Sequence, residues 1–307
     1  MKTDVSVALV ILHYLLFEET VKAVEAFEEK IDTDNYQIVI VDNNSNNGSY
    51  EKLSDYFKDR KEIHLIHNSD NLGFSAGNNR GISYARKLGN FDFILVSNND
   101  VYLNCDNLAS NLEKEYSISP FAVAGPSIIN TNSEDHVNVN PYKYKLPEPE
   151  LYGNENRRLE GIKRDKKSAA NLLRYVYHLI KKQKYVFYNL LHHSKIKGNI
   201  KKVAKYNSRY YKEANKEYNV ILHGCFLVFS KKFFEQYDGF DEMLYMYGEE
   251  TLLYYNLCEA DLISVYLPEI SVIHNHASST KALNDSGFFM RNWAESAEKL
   301  NRKLYFS

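Results

Sequence analysis

The sequence of 307 residues predicts an α/β fold built around a mostly parallel sheet. Two observations lead to this prediction. Short apolar runs alternate with segments of helical spacing through the first 130 residues, and such alternation is typical of βαβ units. Several of the runs also end abruptly in polar residues. The clearest is 91–100, where a continuous apolar run is followed by Asn98, Asn99 and Asp100. Ligands of open α/β sheets gather at the carboxyl ends of such strands.

The elements of the first half follow one another regularly. Apolar runs predict strands over 5–13, 36–41, 63–67 and 91–97. Helical spacing predicts helices over 18–30, 49–60 and 77–88. The first of these helices places Val21, Val24 and Phe27 on one face, as expected of a helix that covers a sheet. The third follows a glycine-rich segment, whose helix N-terminus would offer free N–H groups to an anion.

The composition changes near residue 135, where prolines appear in a polar stretch. Residues 157–216 contain 18 lysines and arginines against three acids, a net charge of +15. Apolar and aromatic residues alternate with these lysines, so we predict a basic, mostly helical insertion over 136–218. Such a segment either lies on an anionic membrane surface or is a solvated insertion packed on its own domain. The whole chain carries −2 and no recognition motif, which disfavours nucleic acid as a partner.

Regular patterning returns after the insertion. It predicts strands over 219–229, 262–267 and 270–274, and helices over 231–237, 251–259 and 286–304. Three widely spaced cysteines fit a reducing compartment better than a disulfide framework. The longest nearly apolar stretch, 5–17, is shorter than the roughly 20 residues of a spanning helix. We therefore expect a cytoplasmic protein, soluble or peripherally attached to the inner face of the cell membrane.

Four groups of residues carry side chains suited to chemistry. They are the strand end 41–45 with Asp42, the glycine-rich segment 71–81, the triplet 98–100, and the pair Glu249-Glu250 with His274 and His276 downstream. Oxygen ligands such as Asp100 suit Mg²⁺ or Mn²⁺ on a diphosphate, and a nearby carboxylate suits a general base. Taken singly, each group has a plainer interpretation: a capped turn, a tight glycine loop, or a core histidine.

Taken in order, these blocks resemble glycosyltransferase family 2, in particular its rhamnosyltransferase-like members. The blocks that carry the resemblance are 41–45, 71–81, 98–100, 224–242, Glu249-Glu250, His274 and Arg291-Asn292. Any one block is weakly specific, but seven in order are strongly so. The resemblance covers most of the chain apart from about 136–218.

The resemblance implies a GT-A type, Rossmann-like mixed sheet flanked by helices. It implies a nucleotide-sugar-binding half over 1–135, the basic insertion over 136–218, an acceptor-binding and catalytic half over 219–282, and a helical tail over 283–307. It also implies a UDP-, dTDP- or GDP-linked sugar donor, Mn²⁺ or Mg²⁺, and inversion at the anomeric carbon. The acceptor would be a glycan, lipid-diphosphate-linked, in bacterial surface polysaccharide synthesis.

Residue roles follow from the same resemblance, position by position. Glu250 would be the catalytic base with Glu249 beside it, and Asp100 and His274 would hold the metal, with His276 as second choice. The residues implied at the nucleotide and donor are His13, Tyr14, Asp42, Asn44, Gly73, Phe74, Gly77, Asn78, Asn98 and Asn99. Those implied at the acceptor or the transferred sugar are Gly224, Cys225, Tyr247, Gly248 and Arg291.

The chain departs from the family pattern at three points. Asn98 replaces the usual first carboxylate of the metal-binding triplet, Glu249-Glu250 replaces a Glu-Asp pair, and Ser230-Lys231 stands where an arginine is frequent. The first departure keeps open a non-catalytic, nucleotide-sugar-binding subunit of a polysaccharide synthase complex. A sugar nucleotidyltransferase is a further alternative, and the absence of glycine from 5–16 counts against it.

Overall fold

The computed structural model describes residues 2–130, 138–141, 215–275 and 286–305. Its strands are β1 (Val7–His13), β2 (Tyr36–Asp42), β3 (Ile63–His67), β4 (Phe93–Asn98), β5 (Val101–Leu103), β6 (Val123–Asn130), β7 (Glu217–Tyr218), β8 (Phe226–Ser230) and β9 (Ser264–His274). Its helices are α1 (Phe17–Lys30), α2 (Ser49–Phe57), α3 (Gly73–Leu88), α4 (Leu108–Ile118), α5 (Lys231–Phe234), α6 (Glu249–Glu259) and α7 (Ser286–Tyr305). The predicted α/β class is confirmed.

The strands of the described residues form one mixed sheet in the order β3-β2-β1-β4-β8-β6-β9-β5, with β7 also paired to β9. The four strands from β3 to β4 are parallel, as predicted. Strand β8 then runs antiparallel between β4 and β6, while β6 and β9 are parallel to each other. Because β8 is reversed, the residues that precede it lie at the same edge as the carboxyl ends of β4 and β9. That edge holds the candidate site.

Apolar side chains cover both faces of the sheet. Strand β1 shows the alternation directly, because Leu9 and Ile11 contribute to one core cluster and Val10 to the other. The first cluster packs under α1, whose Val24 and Phe27 are almost fully buried. Burial on both faces explains why these strands are continuous apolar runs rather than alternating ones.

Helix α3 lies unusually close to the second face, and glycine makes this approach feasible. A Cβ atom built on Gly81 would lie 2.3 Å from Cγ1 of Val10 and 2.8 Å from Cγ2 of Val41. Only a residue without a side chain fits at this distance. The contact fixes the middle of α3 against β1 and β2.

Several element predictions were wrong in their bounds. Helix α3 begins at Gly73 rather than residue 77, because the glycine-rich segment forms its first turn. Residues 219–225 are not a strand, and only the end of that apolar run belongs to β8. The two strands predicted over 262–274 are one, since β9 passes through Pro268 at an irregularity of its ladder with β6. The sequence analysis assigned no element to the residues of β5, α4 and β6.

The two ends of the predicted insertion are anchored on the sheet. At its start, the Asn140 amide nitrogen donates to the carbonyl of Pro126 at 2.8 Å, and its Oδ1 accepts the backbone N–H of His223 at 3.0 Å. At its end, Lys216 and the Tyr218 hydroxyl each contact the buried carboxylate of Glu115 at 2.6 Å. The remainder, 142–214, lies outside the described residues.

No helix within the described ranges combines the length and the apolar character needed to cross a bilayer. The insertion predicted to contact a membrane surface falls almost entirely outside those ranges.

Candidate active site

Asp100 and His274 meet at the carboxyl edge of the sheet. Strand β5 pairs with the end of β9 so that Val101 lies opposite His274, and the N–H of Asn275 donates to the carbonyl of Asp100 at 2.9 Å. This pairing brings Nε2 of His274 to 3.3 Å from Oδ1 of Asp100, with both side chains 6% exposed. Within the described residues, Oδ1 of Asp100 makes no hydrogen bond of good geometry.

A thiol and a second histidine adjoin this pair. Burial acts to raise the pKa of Cys225, but the neighbouring His223 and His274 outweigh it and lower the pKa to about 6. Burial likewise acts to lower the pKa of His274, yet Cys225 and Asp100 raise it to about 10. The rings of His223 and His274 lie 5.9 Å apart between centroids. The four side chains therefore form one cluster of titratable groups at the edge.

The two glutamates at the start of α6 face different surroundings. Oε1 of Glu250 accepts the N–H of Gly224 at 3.3 Å, and the side chain is half-buried beside Phe74. Glu249 is 7% exposed, and its Oε1 makes no hydrogen bond within the described residues. Burial, together with the charge of Glu250, raises the pKa of Glu249 to about 8. Of the two, Glu250 is the carboxylate placed at the edge.

The neighbours of Asp100 in the triplet point in different directions. Asn98 is half-buried, and its N–H donates to the carbonyl of Cys225 at 2.9 Å. Asn99 is 3% exposed and turns inward, where its amide donates to the Thr20 hydroxyl at 3.1 Å. The triplet thus contributes one carboxylate to the cluster, that of Asp100.

Asp42 and His13 belong to a buried polar network. His13 is 0% exposed, and its ring nitrogens contact the Thr20 and Ser49 hydroxyls at 2.6 and 2.8 Å. Burial lowers the pKa of His13 to about 4, although Asp42 opposes the shift. The Asp42 carboxylate is 1% exposed and binds Nδ1 of His67 at 2.7 Å. The predicted contacts of His13 and Asp42 with a nucleotide stay predictions.

The glycine-rich segment is held by residues to which the sequence analysis gave no individual role. Asn43 accepts the N–H of Leu72 at 3.0 Å, and its amide donates to the carbonyl of Gly73 at 3.1 Å. The N–H of Gly73 donates to Asn71 at 3.0 Å, and that of Phe74 to the carbonyl of Tyr245 at 3.0 Å. The expectation of free N–H groups at this helix start is therefore wrong for these three positions.

The other predicted residues lie around this edge with varied exposure. Gly77 and Asn78 are buried, and Oδ1 of Asn78 makes no hydrogen bond within the described part of the chain. Gly224 is also buried. Those that are half-buried are Tyr14, Asn44, Phe74, Tyr247 and Gly248. The side chain of Arg291, in α7, and the whole of His276 lie outside what the structure describes.

The site as built combines the carboxyl ends of β2, β4 and β9 with the residues that precede β8. Sequence reasoning selected Asp100, His274 and Glu250 but missed His223, and it gave Asn43 no role of its own within the block 41–45. His223 directly precedes a glycine ahead of an apolar strand, and Asn43 directly follows Asp42, so adjacency to selected residues was the signal available for both.

The profile of Glycosyl transferase family 2 matches residues 14–238, well over half of the chain. The chain belongs to this family. The matched region contains Asp42, the glycine-rich segment and Asp100. It ends before Glu250 and His274, so the roles of those two residues rest on the resemblance of the blocks and on the geometry described above.

Solved structures share the fold of this family 2 chain. The structure of GalNAc-T7 with UDP, GalNAc and Mn²⁺ superposes with a TM-score of 0.54 at 14% identity, over 89% of this chain and 44% of that one. That of S. aureus TarS 1–349 superposes with a TM-score of 0.50 at 12% identity, over 98% and 72%. The chain thus spans less than half the length of GalNAc-T7. These likenesses show the GT-A fold. No curated protein matches the chain significantly.

Proposed function

We propose that this family 2 chain transfers a sugar from a nucleotide-diphosphate donor to an acceptor hydroxyl, with inversion at the anomeric carbon. The observation that carries the proposal is the convergence of Asp100, His274 and Glu250 at one sheet edge, from elements distant in sequence. The complex of GalNAc-T7 with UDP, GalNAc and Mn²⁺ supports the donor class and the metal.

Glu250 is suited to the role of general base. Its carboxylate is held by the Gly224 N–H at 3.3 Å and is half-buried beside the aromatic ring of Phe74. In the proposed reaction Glu250 takes the proton of the acceptor hydroxyl while that oxygen forms a bond to the anomeric carbon. The bond from this carbon to the diphosphate oxygen breaks on the opposite face, which inverts the configuration.

The residues present fit a divalent cation bound together with substrate. Asp100 offers a buried carboxylate oxygen that lacks a good hydrogen bond. His274 offers a ring nitrogen 3.3 Å from it, which would have to lose its proton to bind the cation. Within the described residues no group of three or more His, Cys, Asp or Glu side chains is arranged to hold a metal. Mg²⁺ and Mn²⁺ commonly complete their coordination with water and substrate phosphates. Such a cation would neutralise the charge that develops on the diphosphate.

Glu250→Gln tests the proposed base. Release of nucleoside diphosphate from UDP-GlcNAc, UDP-GalNAc, GDP-mannose and dTDP-rhamnose, with water as acceptor, is followed for wild type with Mn²⁺. On the donor that wild type hydrolyses fastest, the variant should be at least about 100-fold slower, with nucleotide affinity within about threefold.

Glu259→Gln is the matched control, because Glu259 is exposed at the opposite end of α6. Equal rates for wild type and Glu250→Gln would remove Glu250 from the role. Nucleotide binding by wild type without release of diphosphate from any donor would favour the non-catalytic, nucleotide-sugar-binding alternative.

We further propose that the acceptor is a lipid-diphosphate-linked glycan of a bacterial surface polysaccharide, and that the transferred sugar is rhamnose or another hexose. The support is the charge of +15 over residues 157–216, which suits a peripheral position on the anionic inner face of the cell membrane. Liposome flotation compares the full chain with a variant lacking 157–216, on vesicles with and without anionic lipid. Equal flotation of both proteins, or flotation of neither, would contradict the membrane role.

A further inference from the structure

The carboxylate of Asp42 has almost no surface left for a ligand. It is 1% exposed, and its Oδ2 binds Nδ1 of His67 at 2.7 Å and the N–H of Ser45 at 3.2 Å. Nε2 of His13 lies 3.7 Å from its Oδ1. The carboxylate of Asp42 is therefore enclosed by other protein groups. A ligand at the sheet edge would contact the neighbours of Asp42 before it reached Asp42 itself.

His67 is the outward-facing member of this group. It is the last residue of β3, lies opposite Asp42 in the strand ladder, and has a side chain 42% exposed. An ionised carboxylate can only accept hydrogen bonds, so the nitrogen facing Asp42 must carry the hydrogen. In the neutral ring Nε2 is then an acceptor. His67 thus presents a fixed lone pair at the edge where ligands of this fold class bind.

An aromatic ring stands beside this acceptor. The ring of Tyr50, from the first turn of α2, lies 4.9 Å from that of His67 between centroids, at an angle of 46°. Tyr50 is half-buried, so one part of its ring is accessible. A flat apolar surface next to a directed hydrogen-bond acceptor suits a planar heterocycle with an N–H in its ring plane.

We propose that His67, oriented by Asp42, reads the nucleobase of the donor. Nε2 of His67 accepts the imino N–H of uracil, thymine or guanine, and the base packs against Tyr50. Cytosine and adenine carry a bare ring nitrogen at the corresponding place, so two lone pairs would face each other and binding would weaken. The inference rests on the proposed function, since it assumes that a nucleotide binds at this edge. It makes Asp42 a positioning residue and His67 the contact.

Titration calorimetry of the full chain with Mn²⁺ tests this assignment. The probes are UDP, dTDP and GDP, each compared with CDP and ADP. The tightest of the first three should bind wild type at least about tenfold more tightly than CDP or ADP. His67→Ala should weaken that probe about five- to tenfold, as the loss of one directed hydrogen bond implies. It should leave CDP binding unchanged or somewhat tighter, because the opposing lone pair is also removed.

Asp42→Asn tests the orientation of the ring. Its amide can donate to Nδ1 while its oxygen still accepts the Ser45 N–H, so the ring hydrogen moves to Nε2. The preference for UDP over CDP should then fall at least about tenfold or reverse. If Asp42→Asn is unfolded at the assay temperature, the His67→Ala measurement alone tests the role of His67.

His64→Ala is the matched control. His64 lies three residues earlier on β3, and its Nε2 contacts Oε1 of Gln37 at 2.7 Å. Its loss should leave the ratio of UDP to CDP affinities unchanged. Equal binding of UDP and CDP by wild type, or unaltered binding by His67→Ala, would overturn the inference and leave the proposed function standing. Failure to bind any nucleoside diphosphate would instead contradict the proposed function, and this inference with it.

Discussion

At the scale of single residues, the partners of a side chain decide what it can do. Asp42 and Asp100 both lie at the ends of parallel strands and are 1% and 4% exposed. The carboxylate of Asp42 is held by His67 and Ser45. Among the described residues, that of Asp100 lies 3.3 Å from His274 and has an oxygen that lacks a good hydrogen bond. Two residues that look alike in sequence therefore differ in their capacity to bind a cation.

Asp100→Asn should separate metal-dependent binding from folding. The amide keeps the shape of the side chain but loses the charge, so Mn²⁺ should no longer strengthen UDP binding. Titration with and without Mn²⁺ should show a gain of at least about tenfold in UDP affinity for wild type and no gain for the variant. Asp106→Asn is the control, since Asp106 is 78% exposed and pairs with Lys30. A variant that retained the full gain from Mn²⁺ would remove Asp100 from the metal site.

Glu249 makes the stability depend on pH. Its pKa rises from 4.5 to about 8 in the folded chain because it is buried beside Glu250. The folded state therefore binds more protons than the unfolded state between these values, so stability falls as pH rises through this window. Glu249→Gln should gain stability over wild type from pH 5 to pH 8, by at most about 1.4 kcal/mol per pH unit. Urea unfolding at several pH values measures this gain, and a flat difference would contradict it.

At the scale of elements, glycines fix how α3 meets the site. Gly73 has φ +77°, and a Cβ atom there would lie 2.0 Å from the carbonyl oxygen of Tyr245. That oxygen already accepts the N–H of Phe74. The start of α3 is thus joined to Tyr245, in the segment before α6. Helix α6 begins with Glu249 and Glu250. Gly73 therefore allows the glycine-rich segment to lie against the residues that precede Glu249 and Glu250.

Gly73→Ala should therefore be far more damaging than an ordinary glycine replacement. Gly48 provides the comparison, because its φ is +76° but a Cβ atom there would meet nothing nearer than 4.0 Å. Gly48→Ala should cost about 1–2 kcal/mol from left-handed strain alone. Gly73→Ala carries the same strain and also displaces Tyr245, so its midpoint in chemical denaturation should be clearly lower. Equal midpoints for the two variants would show that this contact does not constrain α3.

The sequence predicted the elements whose pattern is local. Apolar runs predicted β1 to β4 because both faces of those strands are buried. The same reasoning did not reveal β5 and β7, which are three and two residues long and are defined by their pairing with β9. It also did not reveal that His67 binds the carboxylate of Asp42, since that contact depends on strand register. Asp100, His274 and Glu250 were singled out from the residue pattern and received their roles from the family resemblance, whereas their distances required the fold.

At the scale of the whole molecule, both ends of the predicted insertion converge on Tyr266. The Tyr266 hydroxyl accepts a hydrogen bond from the amide of Asn138 at 2.9 Å, and Glu217 pairs with Tyr266 in the sheet. Residues far apart in sequence thus meet at one position of β9. The described fold therefore brings the two ends of the predicted insertion together at β9.

Replacing 142–214 with a short glycine-serine linker should accordingly preserve the fold. Because the ends already lie close together, the closure entropy changes little. The thermal midpoint should stay within a few degrees of wild type, and UDP affinity should be retained. The same deletion combined with Asn140→Ala should be less stable, since Asn140 joins Pro126 to His223. Aggregation of the single deletion would show that the insertion is part of the fold.

The position of β8 has a consequence for biosynthesis. Strands β4 and β6 are made early but do not pair with each other, because β8 occupies the place between them and lies about 100 residues further along the chain. While the ribosome makes the intervening residues, one edge of β4 stays without its final partner. Such an edge can recruit the wrong strand. The basic insertion therefore emerges from the ribosome before β8, and the edge of β4 stays available to a wrong partner until β8 has been made.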